Sequence, residues 1–298
     1  MSTNRRNFLR ELVEQVSRGA GELIGQAINP DLSHPTDLED ASTAWEVPAP
    51  APARCASLDE VYELADELGL NRHRDAVLAI CRWSLRLTAL DSGDVEAPSE
   101  DDSALLELDL AWVAALGESG LMPEDGVLRI YDGRAPEWQA APDTLGGSAA
   151  LAGGRQLEAN PELVLPPSSS DAVRGLELDD DELAAWETLR RRLDELQGGE
   201  ASSWAGPPCH RVLGYPDDDP GNMALACEML AHGVDPAAAR ERASEFEAGA
   251  ARWLLLAELG ADASLGWSWG AAWERRYLWI HEADLAARRF ERVRTLTQ

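Results

Sequence analysis

The chain has 298 residues, 45% of them hydrophobic, and a formal net charge of −28. It is long enough for one large domain or two ordinary ones and apolar enough to build a core, which excludes wholesale disorder. A surface this acidic repels nucleic acid and anionic lipid, because binding there needs cationic side chains to neutralise phosphates. It favours a basic protein partner, or serves solubility alone.

All 26 basic residues are arginines. A Schiff-base lysine, a phosphate-loop lysine and a kinase lysine are therefore all absent, which removes pyridoxal enzymes, P-loop NTPases and protein kinases. The four cysteines, Cys55, Cys81, Cys209 and Cys227, contain no C-x-x-C pair. They read as free thiols in a reducing cytosol. Residues 4–10 resemble a twin-arginine export motif, but Glu11, Glu14, Gln15, Arg18 and Glu22 break the apolar run that such a signal needs. The expectation is no export, no transmembrane segment and a cytoplasmic location.

In chain order, residues 1–28 predict an amphipathic helix with Leu9, Leu12, Val13, Val16, Leu23 and Ile24 at helical spacing. Residues 29–56 are Pro-rich and acidic and read as a linker. The helix could pack back on its own body, bind a partner or lie on a membrane. Ser57-Leu58-Asp59-Glu60 is a capping box opening a helix that ends near Gly69. Asn71 is expected to cap a second helix reaching Trp83, and Ser84 to Leu90 alternates as a strand, with Leu85 and Leu87 on one side. Residues 91–102 form an acidic loop.

Leu105 to Asp109, a helical Leu110 to Leu116 and a strand Gly126 to Tyr131 follow. Leu254 to Gly260 and Tyr277 to His281 echo this pattern, which predicts two sheet-forming halves of similar design. Residues 132–170 are rich in Gly, Pro and Ser, with a short strand at Leu163 to Leu165. A long helix starts at Leu178 to Glu182 and runs to about Gln197, its acids at the N-terminal end as the helix dipole favours. Further helices are expected over Met223 to Leu230 and Pro236 to Ala251.

Candidate chemistry is sparse. Gly266-Trp267-Ser268-Trp269-Gly270 matches G-x-S-x-G, but the acid and histidine that should follow stand in the wrong order, as His281 then Asp284. Cys209 and His210 are sequence neighbours, which point apart on a strand. His34, His73, His210, His232 and His281 have no metal-ligand spacing, and 217–222 lacks the alternation of a calcium loop. Neither metal nor cofactor is expected. Five of the eleven tryptophans lie in the last fifty residues. Core is the default for such rings, and Trp267, Trp269 and Trp273 are the candidates for a contact surface.

Several stretches resemble a known family. They are Leu157 to Pro166, His210-Arg211-Val212-Leu213-Gly214-Tyr215-Pro216 with Met223 and Cys227-Glu228, Trp253 to Leu256, Trp269-Gly270, Tyr277 to Ile280, Asp284 to Ala286 and Phe290 to Val293. The chain is similar there to the bacterial YwqG-like family, a domain of unknown function. The likeness is specific over 153–298 and thinner over 57–131. Two departures stand out. The family's G-G-x-P-x-L-P…W-P segment is replaced by the acidic loop 91–102, and its W-G-D turn reads Trp269-Gly270-Ala271, without the carboxylate. The resemblance implies an α+β fold, a β-rich core of two related halves with peripheral helices. It would span 57–298, as a helical hairpin and first strand over 57–90 and a β-rich body over 103–298. It implies no established activity. Some relatives sit near toxin genes, which suggests an immunity-like role by association.

The leading expectation is a non-catalytic cytosolic interaction protein, contacting its partner through Leu9, Leu12, Val16 and Leu23 and through Trp267, Trp269 and Trp273. The alternative is an enzyme whose site assembles only in the fold, around His210, Tyr215 and Asp217.

Overall fold

A computed structural model describes residues 54–89, 104–116, 122–140, 150–152, 155–198, 210–217, 219, 222–267, 269 and 274–297. The expected helix at 1–28, most of the linker and the acidic loop lie outside these residues. The first described helix, α1 (Leu58–Glu67), opens on the expected capping box. The Ser57 hydroxyl accepts the Glu60 N–H at 3.2 Å, and the Glu60 carboxylate accepts the Ser57 N–H at 2.8 Å. Gly69 leaves the helix at φ +81°. Helix α2 (Arg74–Ile80) is shorter than the expected Asn71 to Trp83. The His73 N–H bonds the Leu70 carbonyl at 2.8 Å, so Asn71 to His73 close a turn instead of a cap. At the far end Arg82 and Trp83 pair with Val164 and Leu163, and the ladder prevails over helix propensity.

Among the described residues ten strands form one sheet, antiparallel at every pairing. They are β1 (Arg82–Ala89), β2 (Leu106–Asp109), β3 (Val127–Ile130), β4 (Glu137–Gln139), β5 (Ala150–Ala152), β6 (Arg155–Val164), β7 (His210–Val212), β8 (Trp253–Gly260), β9 (Arg275–His281) and β10 (Arg294–Thr297). Their order is β10-β9-β8-β7-β1-β6-β5-β2-β3-β4. The two strand pairs expected to build separate halves, β2–β3 and β8–β9, thus lie on opposite sides of β1 in a single continuous sheet. Strand β6 is far longer than the expected Leu163 to Leu165. Pro161 within it pairs with Leu85 of β1, while β5 reaches only Arg155 to Leu157 along the other edge. A missing N–H is tolerated where no neighbour needs it. Near the end of that edge the Gln197 amide stands in for a strand. It donates to the Leu163 carbonyl at 2.9 Å and accepts the Leu163 N–H at 2.7 Å.

The sheet curls until its ends approach. Arg276 of β9 bonds Asp132, just after β3, at 2.8 Å, and the Arg288 guanidinium lies 4.9 Å from the Trp138 ring of β4. The main core fills the concave side, with Leu128 and Ile130 from one end, Leu278 and Ile280 from the other, and Leu110 and Val113 of helix α3 (Leu110–Leu116). Each such fully buried side chain contributes about 1.5–3 kcal/mol. The opposite face carries two separate clusters. One lies under α1, α2 and the long helix α5 (Asp180–Leu196), around Trp186 and Leu189; between β6 and α5, Asp171–Arg174 forms the short helix α4. The other gathers Trp253, Leu255, Tyr277 and Trp279 beneath Met223 and Cys227 of α6 (Met223–Ala231). A bulge between Leu255 and Ala257 makes the second cluster possible. Leu256 is the extra residue, so Trp253 and Leu255 before it share a face with Glu258 after it. The expected helix Pro236 to Ala251 is instead a 3₁₀ turn, Arg240–Glu245, and a one-turn helix, Glu247–Ala250.

Candidate functional site

Between the two outer clusters, the convex face of the central strands carries charge. Register places Arg86 of β1 opposite Arg211 of β7, and Arg211 opposite Glu258 of β8. Glu162 of β6 joins the two arginines, accepting from Arg86 Nε at 2.8 Å and Arg211 Nε at 2.7 Å. Arg86 also pairs with Asp194 of α5. Arg211 Nη1 reaches Asp217 at 2.6 Å, and Arg275 Nη1 donates to Asp217 at 2.8 Å and to Glu258 at 2.5 Å. Glu162, Arg211 and Glu258 are buried, Glu258 completely.

A sharp turn delivers Asp217. Leu213 at φ +63° and Gly214 at φ +80° fold the chain back over β1. A Cβ on Gly214 would stand 2.6 Å from Val164 Cγ2 and 2.8 Å from Ser84 Cβ, so only glycine fits. Tyr215 then lies with its ring 4.4 Å from the Arg82 guanidinium, and burial pushes its hydroxyl pKa up. Tyr215, Asp217 and Arg211 border a cleft of about 400 Å³ whose other wall is Arg190, Asp194 and Gln197.

The cluster holds four carboxylates (Glu162, Asp194, Asp217, Glu258) against three guanidinium groups (Arg86, Arg211, Arg275), one charge short of neutrality. Burial pushes Glu258 up to about 7, and the neighbouring Asp217 charge adds to the effect. Burial would also raise Asp217, but Arg211 and Arg275 outweigh it and hold that carboxyl below the usual range. Asp194 is raised by burial, partly offset by Arg86.

His210 does not join this group. It lies on the concave face, 2% exposed. The Gly260 N–H donates to its Nδ1 at 3.3 Å, which leaves the proton on Nε2 to donate to Asp262 at 3.0 Å. That bond holds Asp262 down at about 2. The His210 ring meets Trp267 edge-on at 4.7 Å. The alternative site is thereby corrected: Tyr215 and Asp217 border one cleft, while His210 is on the far side of the sheet. Trp267 is corrected too, being 3% exposed and part of the core. Trp269 stacks on it at 6.0 Å and is half-buried. Leu9, Leu12, Val16, Leu23, Cys209 and Trp273 lie outside the described residues. Among the described residues no three His, Cys, Asp or Glu side chains group as metal ligands.

A family model described as a domain of unknown function (DUF1963) matches residues 94–298, more than half of the chain. The chain belongs to the DUF1963 family. No curated protein matches it. The DUF1963 stretch begins after β1, yet β1 lies between β6 and β7, both inside the match. Arg86 therefore comes from outside the DUF1963 segment, and its partners Glu162 and Asp194 from within it.

Sequence reasoning missed Arg86, Glu162, Asp194, Arg211, Glu258 and Arg275 as a group. One signal was available. Glu258 is the lone charge in the apolar run Leu254 to Gly260, and a charge at that place in a buried strand needs an opposite partner.

Proposed function

We propose that this DUF1963 protein is a non-catalytic, cytoplasmic interaction module of bacterial origin that takes a basic protein partner, with toxin neutralisation as the narrower form. The reading is supported by one observation above all: the polar side chains that might have reacted are bound to one another. Both nitrogens of His210 are engaged, by Gly260 and Asp262. Both carboxylate oxygens of Asp217 are taken, by Arg211 and Arg275. A general base must present a free lone pair of adequate basicity; His210 has no free lone pair, and Asp217, held below the usual carboxylate range by its two arginines, is a weak base. The net charge of −28 supplies the complementarity to a basic partner.

Affinity capture on the immobilised full chain tests this, with and without residues 1–28 and at low and high salt. A basic partner held at low salt and released at high salt is expected, because attraction between exposed charges is screened. Retention of no protein in any arm would overturn the proposal.

The cleft beside Tyr215 favours a second reading, an enzyme working there without His210. It requires Tyr215→Phe to abolish the cellular function while leaving partner capture intact.

A further inference from the structure

The concave face of the curled sheet is aliphatic along most of its length, but its filling stops short at one end. Between β9–β10 and the turn that follows β3, a cavity of about 350 Å³ remains. Leu105, Ile130, Leu259 and Leu278 line it with hydrocarbon, and Arg134 and Arg276 are its charged residues. Among the described residues no carboxylate lines it, although Asp132 and Glu137 stand beside it as partners of Arg276 and Arg134.

Arg276 is pinned. Its Nη1 bonds Asp132 at 2.8 Å, and its guanidinium lies 4.8 Å from the centre of the Trp269 ring. Its Nε is buried and has no hydrogen-bond partner. A buried guanidinium N–H left unmet is rare in folded proteins.

We propose that this cavity binds a small monocarboxylate with an apolar body. Arg276 takes the carboxylate and the aliphatic lining takes the hydrocarbon. The planar guanidinium edge matches a carboxylate, and mouths of curled or closed sheets are recurrent small-molecule sites, from about 300 Å³ upward. Inorganic phosphate would leave the hydrocarbon lining unfilled. Asp132 already balances Arg276, so a neutral amide is disfavoured by its weaker hydrogen bond to the guanidinium, not by a missing counter-charge. A free small carboxylate and the C-terminal carboxylate of an apolar peptide share this chemistry.

The test is a titration of the full chain, followed by tryptophan fluorescence, with hexanoate, hexanamide, inorganic phosphate, and acetyl-Leu-Leu with a free or amidated terminus. Hexanoate should bind at least about tenfold more tightly than hexanamide or phosphate. Arg276→Gln should erase the difference between hexanoate and hexanamide, and Trp269→Phe should remove most of the fluorescence change. If Arg276→Gln does not fold, Thr295→Phe, placed on exposed β10 at the cavity, should weaken hexanoate by a similar factor. Tighter binding of the free-terminus peptide, lost on amidation, supports the same site with a peptide terminus as its source. Equal binding of hexanoate and hexanamide, or no saturable binding of any carboxylate, overturns the proposal.

Discussion

The backbone N–H of Asp217 donates to the Glu258 carboxylate at 3.0 Å, so the two acids share one site. Asp217 keeps its charge because Arg211 and Arg275 flank it. Glu258, deeper and fully buried, is the acid whose proton is hard to remove.

That asymmetry sets a pH dependence. The folded chain binds the Glu258 proton more firmly than the unfolded chain does. Stabilisation from this group is complete below about 4.5 and is lost as pH rises to about 7. At about 1.4 kcal/mol per pKa unit, the loss is on the order of 3 kcal/mol. Urea unfolding of the native chain and of Glu258→Gln, at pH 5 and pH 8, checks it. The variant should lose less stability across that interval. Parallel profiles would show that Glu258 does not titrate there.

Glu162 holds two arginines of adjacent strands together. Glu162→Ala would leave Arg86 and Arg211 facing each other, at a cost of about 3–5 kcal/mol for breaking a buried pair. Glu162→Gln, which keeps an acceptor, should cost less. Denaturant midpoints of the three proteins decide the order, and a neutral Glu162→Ala would remove the cluster from any structural role.

Two glycines with nearly the same φ separate strain from collision. Gly69, at +81°, has nothing within 4 Å of a Cβ, whereas Gly214, at +80°, has Val164 and Ser84 in the way. Gly69→Ala should therefore cost about 1 kcal/mol, from the left-handed backbone alone. Gly214→Ala should cost about 2–4 kcal/mol, because overpacking is added. Thermal melts of both variants measure the gap; equal losses would mean that the Leu213–Gly214 turn yields freely.

A chain cut to residues 94–298 retains the whole family match but loses β1, and with it both ladders that join β6 and β7. It is expected to melt without a cooperative transition when followed by circular dichroism. A sharp transition near that of the full chain would show that β6 and β7 can close on each other.

Local signals were legible where they are self-contained. The Ser57–Glu60 box and the acid-rich start of α5 appear where the residue pattern places them, because a cap depends on neighbours three residues away. Alternation likewise exposed β1, with Leu85 and Leu87 inward. Strand β6 was hidden by Pro161, whose acceptability depends on how far β5 extends, a fact of tertiary pairing. The helix expected at Pro236 was overcounted, since alanine-rich sequence lends helix propensity without an apolar face to dock. The charged cluster was illegible for a similar reason. Its members come from β1, β6, α5, β7, the turn after β7, β8 and β9, and only the register aligns them. Tyr215 and Asp217 were singled out from the sequence and do border one cleft, whereas the parity of β7 turns His210 away from them.

The extra residue Leu256 works as a phase shift in the strand's two-residue rhythm. Upstream of it odd-numbered positions supply the aromatic cluster, and downstream even-numbered ones face the arginines. Erasing that offset by deleting Leu256 would drive either Glu258 into hydrocarbon or Trp253 and Leu255 out of theirs. The chain therefore keeps its acid and its indole on one side of the sheet through an irregularity of a single residue.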